Sequence, residues 1–133
     1  MADWKEVAGG ITAPKGYRAA GITAGLKPSG LPDLALILSD VEAIAAGVFT
    51  LNQVCAAPVT YCRHHLRHKS SARAILCNAG QANAATGEQG MQDAQETAAA
   101  LSQALGISSD AILLASTGVI GQRIKLDILK AGL

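Results

Sequence analysis

The sequence has few aromatic residues and almost no net charge, and both features limit the fold and the kinds of partner that we expect. Only 3% of its 133 residues are aromatic, whereas half are apolar, and alanine and glycine supply 26 and 14 positions. A core of such small side chains favours flat layers of helix on sheet over packing around bulky rings. The formal net charge of +1 is far below that of a protein that binds nucleic-acid phosphates, so we expect no nucleic-acid partner.

Long apolar runs and paired cysteines are also missing. No run has the length of a membrane span, so we expect no membrane helix and no membrane partner. The N-terminal stretch Met1–Glu6 carries charges where a signal peptide would have its apolar core. The three cysteines, Cys55, Cys62 and Cys77, are an odd number without metal-like spacing. Together these absences predict a cytoplasmic protein with free, reduced thiols.

The order of apolar runs, glycines and turns predicts an α/β protein whose single domain spans residues 1–133. The second predicted strand, Asp33–Ser39, is apolar on both faces, which indicates that other parts of the protein cover it on each side. Five runs bounded by turn residues are predicted strands: Tyr17–Gly25, Asp33–Ser39, Ala43–Thr50, Ala74–Cys77 and Ala111–Ala115.

Two helices are predicted from their starts and their periodicity. Pro58 suits the first turn of a helix that carries Val59–His68. The longer helix, Gly87–Leu105, begins where Thr86 and Gln89 have capping-box spacing and ends before Gly106, and Asp93 lies in its earlier half, where an acid favours the helix dipole. One apolar face of this helix is formed by Met91, Ala94, Ala98, Leu101 and Leu105.

Two apolar runs lead directly into glycine-containing segments. Ala111–Ala115 is followed by Ser116, Thr117 and Gly118, and Ala74–Cys77 is followed by residues 78–87. Glycines placed after a strand allow a tight turn and leave N–H groups open to a ligand. Such a loop can bind an anion, or the oxyanion of an acyl-transfer intermediate. A plain strand-to-helix turn is the simpler explanation of either segment taken alone.

Four motifs that include these segments occur in a fixed order along the chain. They read Gly-Gly-Ile-Thr-Ala-Pro-Lys-Gly at 9–16, Gly-Val-Phe-Thr-Leu-Asn at 47–52, Asn-Ala-Gly-Gln-Ala-Asn-Ala-Ala-Thr-Gly at 78–87 and Ser-Thr-Gly-Val-Ile-Gly at 116–121. In this order they resemble the ornithine acetyltransferase family of arginine biosynthesis. A single glycine motif is common, whereas four in the family's order are specific.

The resemblance implies a layered helix–sheet sandwich that is incomplete without a β chain. It implies an enzyme that moves acetyl from N-acetylornithine to glutamate, after a precursor cleaves itself before the threonine that becomes the nucleophile of the β chain. Thr117 and Gly118 match the family's oxyanion hole. An α2β2 heterotetramer without metal or cofactor is also implied, and acetyl-coenzyme A as a second acetyl donor stays open.

This chain departs from the family pattern at its end. It stops at Leu133, before the region in which family α chains carry further substrate contacts and the cleavage threonine. None of Thr12, Thr50 and Thr117 stands where cleavage would begin a β chain. We therefore expect residues 1–133 to supply half of an active site, and the sequence does not identify the substrate-binding residues.

Two other functions stay open at the level of the sequence. One is a truncated module that binds a small amino-acid ligand without chemistry, and the other is part of an amidase or aminopeptidase with an N-terminal nucleophile. The motif at 9–16 and the two glycine segments favour the transferase over the amidase. The gene sequence after Leu133 would separate the enzyme from the binding module.

Two further patterns are weaker. A zinc site is disfavoured because there is no second ligand pair and because basic residues surround the candidate ligands Cys62, His64, His65 and His68. The glycine segments match neither of the common nucleotide-binding patterns. Asn78 and Asn83 are expected to bond their own loop backbone and are not assigned a catalytic role.

Overall fold

The computed structural model describes residues 3–133, which form a four-stranded sheet and three helices; Met1 and Ala2, at the start of the charged N-terminal stretch, lie outside the described residues. The strands are β1 (Tyr17–Ile22), β2 (Leu34–Ile44), β3 (Ser71–Gln81) and β4 (Ile112–Val119). They are ordered β1-β2-β3-β4 in the sheet, with antiparallel neighbours except for the parallel pair β3 and β4. The helices are α1 (Ala57–His68), α2 (Gly87–Leu105) and α3 (Leu126–Ala131).

Both strands of the parallel pair are longer than the sequence predicts. β3 continues past Cys77, and β4 continues past Ala115, so that residues 116–118 belong to a strand and not to a loop. The extension is compatible with burial because the Ser116 hydroxyl donates to the Asn78 side-chain oxygen at 2.6 Å. This contact satisfies two polar side chains that would otherwise weaken the packing.

The predicted strand over Ala43–Thr50 is wrong beyond Ile44. Its first two residues end β2, whose register against β3 shifts between Leu38 and Ala43. Ile44 pairs with Ser71, the first residue of β3, so residues 45–50 have no facing strand within the described chain and leave the sheet.

β1 ends earlier than predicted, at Ile22. The backbone N–H groups of Ala24 and Gly25 donate to the Asp33 carboxylate, at 2.7 and 3.2 Å, and therefore do not continue a ladder. A carboxylate that accepts several backbone N–H groups is a strong local competitor of strand pairing.

α2 has the predicted bounds, and its end is confirmed by Gly106 in the left-handed region at φ +64°. The predicted capping box is wrong. The Thr86 hydroxyl donates to the Asn83 side-chain oxygen at 2.8 Å and makes no cap hydrogen bond. α1 begins at Ala57, with Pro58 in its first turn as predicted.

The core lies between the sheet and the two longer helices, α1 and α2, where small side chains allow close approach. Leu76 and Leu114 project from neighbouring strands toward Ala98 and Leu101, and all four are buried. The opposite face of the sheet is less covered, since Ala35 and Ala115 are exposed. On this face of β2, Ala35 is exposed, Ile37 is half-buried and Ser39 is buried, so the expected cover on both faces is only partly present in the described part of the chain. In residues 3–133 no helix has the length and apolar character to cross a membrane.

Candidate functional site

Gly80 and Gly118 face each other at the carboxyl ends of the parallel strands β3 and β4. Both have positive φ, +125° and +128°. A Cβ atom on Gly118 would overlap the Gly80 carbonyl group, so only glycine allows the two strand ends to approach this closely. The carboxyl ends of parallel strands are where open α/β sheets bind their ligands.

Thr117 lies beside this glycine pair and faces away from the helices. Ser116 borders a small internal space together with Ala94 and Thr97 of α2, which fixes it on the helix side of the sheet. Side chains alternate along a strand, so Thr117 points to the opposite face, where it is exposed. The Thr117 hydroxyl and the Gly118 N–H are thus two candidate donors from adjacent residues.

Both asparagines of the motif at 78–87 bond backbone, Asn78 within the motif as predicted and Asn83 in α2. The Asn78 side-chain N–H donates to the Gln81 carbonyl at 3.1 Å, and the Asn83 side-chain N–H donates to the Gly90 carbonyl at 2.8 Å. Asn83 is completely buried and holds the chain before α2 against the first turns of that helix. Both residues are buried and hold the backbone around the site.

The segments that follow β3 and β4 are bonded to each other. The Ala82 N–H donates to the Val119 carbonyl at 3.0 Å, and the Gly121 N–H donates to the Ala84 carbonyl at 2.8 Å. The parallel pairing thus continues as loop-to-loop contacts beyond the two glycines. These bonds fix the path of the chain just after Thr117 and Gly118.

An ion pair with a buried carboxylate joins α2 to the chain after β4. Arg123 donates through Nε and Nη2 to the two oxygens of Asp93, at 2.9 and 2.7 Å. The Asp93 side chain is 1% exposed, whereas that of Arg123 is 53% exposed. Sequence reasoning assigned Asp93 only to the helix dipole. Thr97, which is also buried, follows Asp93 by one helical turn. This spacing could have predicted a polar strip beside the apolar face of α2.

A second carboxylate that sequence reasoning missed holds the loop between β1 and β2. Asp33 is buried, which by itself raises its pKa, but hydrogen bonds from the four backbone N–H groups of residues 24–27 together outweigh burial and lower it. The loop is tied to the site because the Gln81 side-chain N–H donates to the Leu26 carbonyl at 3.1 Å. Asp33 thereby supports the end of β3 next to Gly80.

The cysteine and histidines singled out on the sequence lie on α1, and three of these side chains bond backbone. The Cys62 thiol donates to the Leu114 carbonyl at 3.2 Å. A ring nitrogen of His65 bonds the Ser71 carbonyl at 3.1 Å, and one of His68 bonds the His64 carbonyl at 2.8 Å. Within residues 3–133 no group of three or more histidine, cysteine and acidic side chains is placed to hold a metal ion.

We expect all three cysteines to be free thiols, with Cys55 reacting first. The Thr60 hydroxyl and the Arg63 charge lower the pKa of Cys55, which borders an open cleft of about 270 Å³. Burial raises the pKa of Cys62 and of Cys77. An alkylating reagent at mildly alkaline pH, followed by mass spectrometry, should label Cys55 first and the other two only after denaturation.

The same preparation tests the metal and redox expectations. Thiol titration after denaturation should find all three cysteines reduced, and elemental analysis should find no stoichiometric zinc. A disulfide in freshly lysed cells, a tightly held metal, or equal labelling of the three thiols in the native protein would contradict this prediction.

The sheet order, the parallel strand ends and the facing glycines define an α/β protein with a mixed sheet and a candidate site at the carboxyl ends of its parallel strands. Residues 18–133 match the model of the ArgJ family, and the chain belongs to this family. The recognition made from the four motifs and the predicted fold class are both confirmed.

Its relatives include proteins from cyanobacteria and plants that are named arginine biosynthesis bifunctional protein ArgJ. A Nostoc relative, ArgJ 1, is 74% identical over 133 residues, which is 100% of this chain and 32% of that protein. The chloroplastic protein of Zea mays is 58% identical over 127 residues, which is 95% of this chain and 27% of that protein. The chain thus spans about a third of its curated relatives and corresponds to their N-terminal part.

Two crystal structures share the fold. That of ArgJ from Bacillus halodurans superposes with a TM-score of 0.89 at 35% identity, over 93% of this chain and 64% of the other. That of ornithine acetyltransferase complexed with ornithine from Mycobacterium tuberculosis gives 0.88 at 44% identity, over 92% of this chain and 66% of the other. These TM-scores and sequence identities show that the described residues have the same fold as the two crystal structures.

Proposed function

We propose that this chain is the α-chain part of a glutamate N-acetyltransferase that moves acetyl from N-acetylornithine to glutamate in arginine biosynthesis. The observation that carries the proposal is the exposed Thr117 next to the facing glycines, in a chain of the ArgJ family. Residues 1–133 act as one domain in the cytoplasm. They pair with a β chain of the same precursor in an α2β2 heterotetramer, without a cofactor, and the β chain supplies the nucleophilic threonine.

In the proposed reaction Thr117 and Gly118 stabilise the tetrahedral intermediate. The threonine hydroxyl of the β chain attacks the acetyl carbonyl of N-acetylornithine, and its own α-amino group takes the hydroxyl proton. Negative charge then develops on the carbonyl oxygen, which accepts hydrogen bonds from the Thr117 hydroxyl and the Gly118 N–H. As the amide C–N bond breaks, the proton passes to the leaving amine and an acetyl ester remains on the enzyme.

Glutamate completes the transfer by the reverse steps. Its amine attacks the ester, the same two donors stabilise the second tetrahedral intermediate, and the threonine leaves with a proton from the attacking amine. The different environments of Ser116 and Thr117 support this role. The Ser116 hydroxyl is engaged with Asn78, whereas Thr117 is exposed on the other face of the sheet.

The proposal is tested on the complete enzyme, which means this chain together with the rest of an ArgJ protein, for instance the remainder of the Nostoc relative. We expect labelled acetyl to pass from N-acetylornithine to glutamate and to be trapped transiently on the N-terminal threonine of the β chain. A parallel assay with acetyl-coenzyme A decides whether glutamate is also acetylated from that donor.

Two outcomes would contradict the proposal. Binding of ornithine without any acetyl transfer would favour the non-catalytic binding module. Hydrolysis of N-acetylornithine or of peptides, without transfer to glutamate, would favour the amidase or aminopeptidase interpretation.

A further inference from the structure

The chain that follows Gly118 contains a second glycine, so its path depends on contacts with the rest of the fold. Gly118 and Gly121 both have positive φ, and β4 pairs with a strand on one side only within residues 3–133. A glycine has more backbone freedom than any other residue. Donors to an oxyanion lower a barrier only when they are held in position before charge develops.

α2 restrains this chain at two places, and the first restraint is indirect. Asn83 bonds the Gly90 carbonyl within α2, and the neighbouring Ala82 and Ala84 bond Val119 and Gly121. The start of α2 therefore holds residues 119–121 through the loop that precedes it.

The second restraint is the ion pair of Asp93 with Arg123. It lies two residues beyond Gly121, and both guanidinium–carboxylate contacts are close, at 2.7 and 2.9 Å. A two-pronged contact of this kind fixes direction as well as distance. The Asp93 side chain is almost fully buried. Because a buried carboxylate without its cation is strongly unfavourable, we expect Arg123 to stay bound to it.

We propose that Asp93 and Arg123 are positioning residues that hold Thr117 and Gly118 ready for the oxyanion. The proposal rests on the proposed function of that pair. The two restraints attach residues 119–121 to the loop before α2 and residue 123 to α2 itself. The strand end before them therefore cannot shift far without disturbing the ion pair of Asp93 with Arg123. Neither Asp93 nor Arg123 acts on substrate.

The test uses the complete enzyme with Arg123→Ala, Arg123→Lys and Asp93→Asn, assayed well below the unfolding temperature. Misplaced catalytic groups cost up to roughly a hundredfold, so Arg123→Ala should lower kcat about tenfold or more with little change in KM. Lysine keeps the positive charge but cannot donate to both carboxylate oxygens in the fixed geometry of a guanidinium group. Arg123→Lys should therefore retain only part of the parent kcat. Added methylguanidinium should raise kcat of Arg123→Ala, since the guanidinium site is half exposed.

A second ion pair on the same helix is the matched control. Lys130 donates to Glu96 at 2.7 Å and also joins α2 to the chain beyond β4, but the Glu96 carboxylate is exposed whereas that of Asp93 is buried. Lys130→Ala should leave kcat within about twofold, as expected for an exposed pair.

The outcomes separate the two proposals. Unchanged kcat in Arg123→Lys and Asp93→Asn, or an equal loss in Lys130→Ala, would overturn the positioning role. If Arg123→Ala does not fold, those two conservative variants decide. If removal of the Thr117 hydroxyl also leaves kcat unchanged, the proposed oxyanion hole fails instead, whatever the Arg123 variants do.

Discussion

Replacing Thr117 by valine should lower kcat of the complete enzyme by roughly a hundredfold or more, because removing one oxyanion donor costs this much in other acyl-transfer enzymes. The substitution keeps the shape of the side chain and removes only the hydroxyl. The hydroxyl is needed when charge develops, so KM for N-acetylornithine should change little. Steady-state kinetics, with the fraction of correctly cleaved β chain measured for each preparation, gives both constants.

Thr117→Ser is the matched control for this experiment. Serine retains the donor and loses only a methyl group, so it should keep most of the activity. Thr117 is exposed, and neither variant should disturb the core. Rates of Thr117→Val that stay within a few-fold of the parent, or an equal loss in Thr117→Ser, would remove Thr117 from the oxyanion hole.

The parts of the fold that sequence predicts well are those decided by local spacing. The bounds of α2 follow from its apolar periodicity and from the glycine that ends it, and the structure reproduces them. Pro58 likewise marks the start of α1. Such signals are contained in the segment itself, so no distant residue is needed to interpret them.

The extended strands at the site could not be predicted in this way. Ser116 and Gly118 have the composition of a turn, and only the pairing with β3 makes them strand residues. The partner of Ser116 is Asn78, 38 residues away. The sequence predicts that glycines follow the strand, but their exact opposition depends on a register that only the folded sheet defines.

Asp93 and Arg123 show the same limit for side chains. They are 30 residues apart, and neither local segment contains a pattern that predicts their pairing. An acid in the first half of a helix is explained well enough by the helix dipole. Its burial, which makes the ion pair consequential, arises only when the chain after β4 packs across α2.

The apolar surface of this chain is larger than its own helices cover. Val48, Leu51 and Ile44 are almost fully exposed, at 100%, 98% and 94%, and one face of the sheet carries exposed Ala35 and Ala115. The chain spans about a third of the curated relatives it matches, and we propose that the part of those proteins beyond the matched third covers this surface. Exposed apolar patches and unpaired strand edges favour association with another chain.

Residues 1–133 alone should therefore transfer no acetyl group and should unfold over a broad, weakly cooperative transition. The chemistry requires an activated hydroxyl, and the nucleophilic threonine is proposed to lie on the β chain. The stability deficit is independent of the chemistry, because it follows from apolar side chains that folding leaves in water. Light scattering should detect self-association of the isolated chain, and scanning calorimetry should show the broad transition.

Adding the β chain separates these two effects. A β chain that begins with threonine should sharpen the transition and restore acetyl transfer from N-acetylornithine to glutamate. The matched control is the same β chain beginning with alanine, which should sharpen the transition equally and restore no transfer, since it covers the same surface without a nucleophile. Clear turnover by the isolated chain would overturn the division of the active site between two chains. A sharp, monomeric transition without the β chain would show that its exposed apolar surface needs no cover.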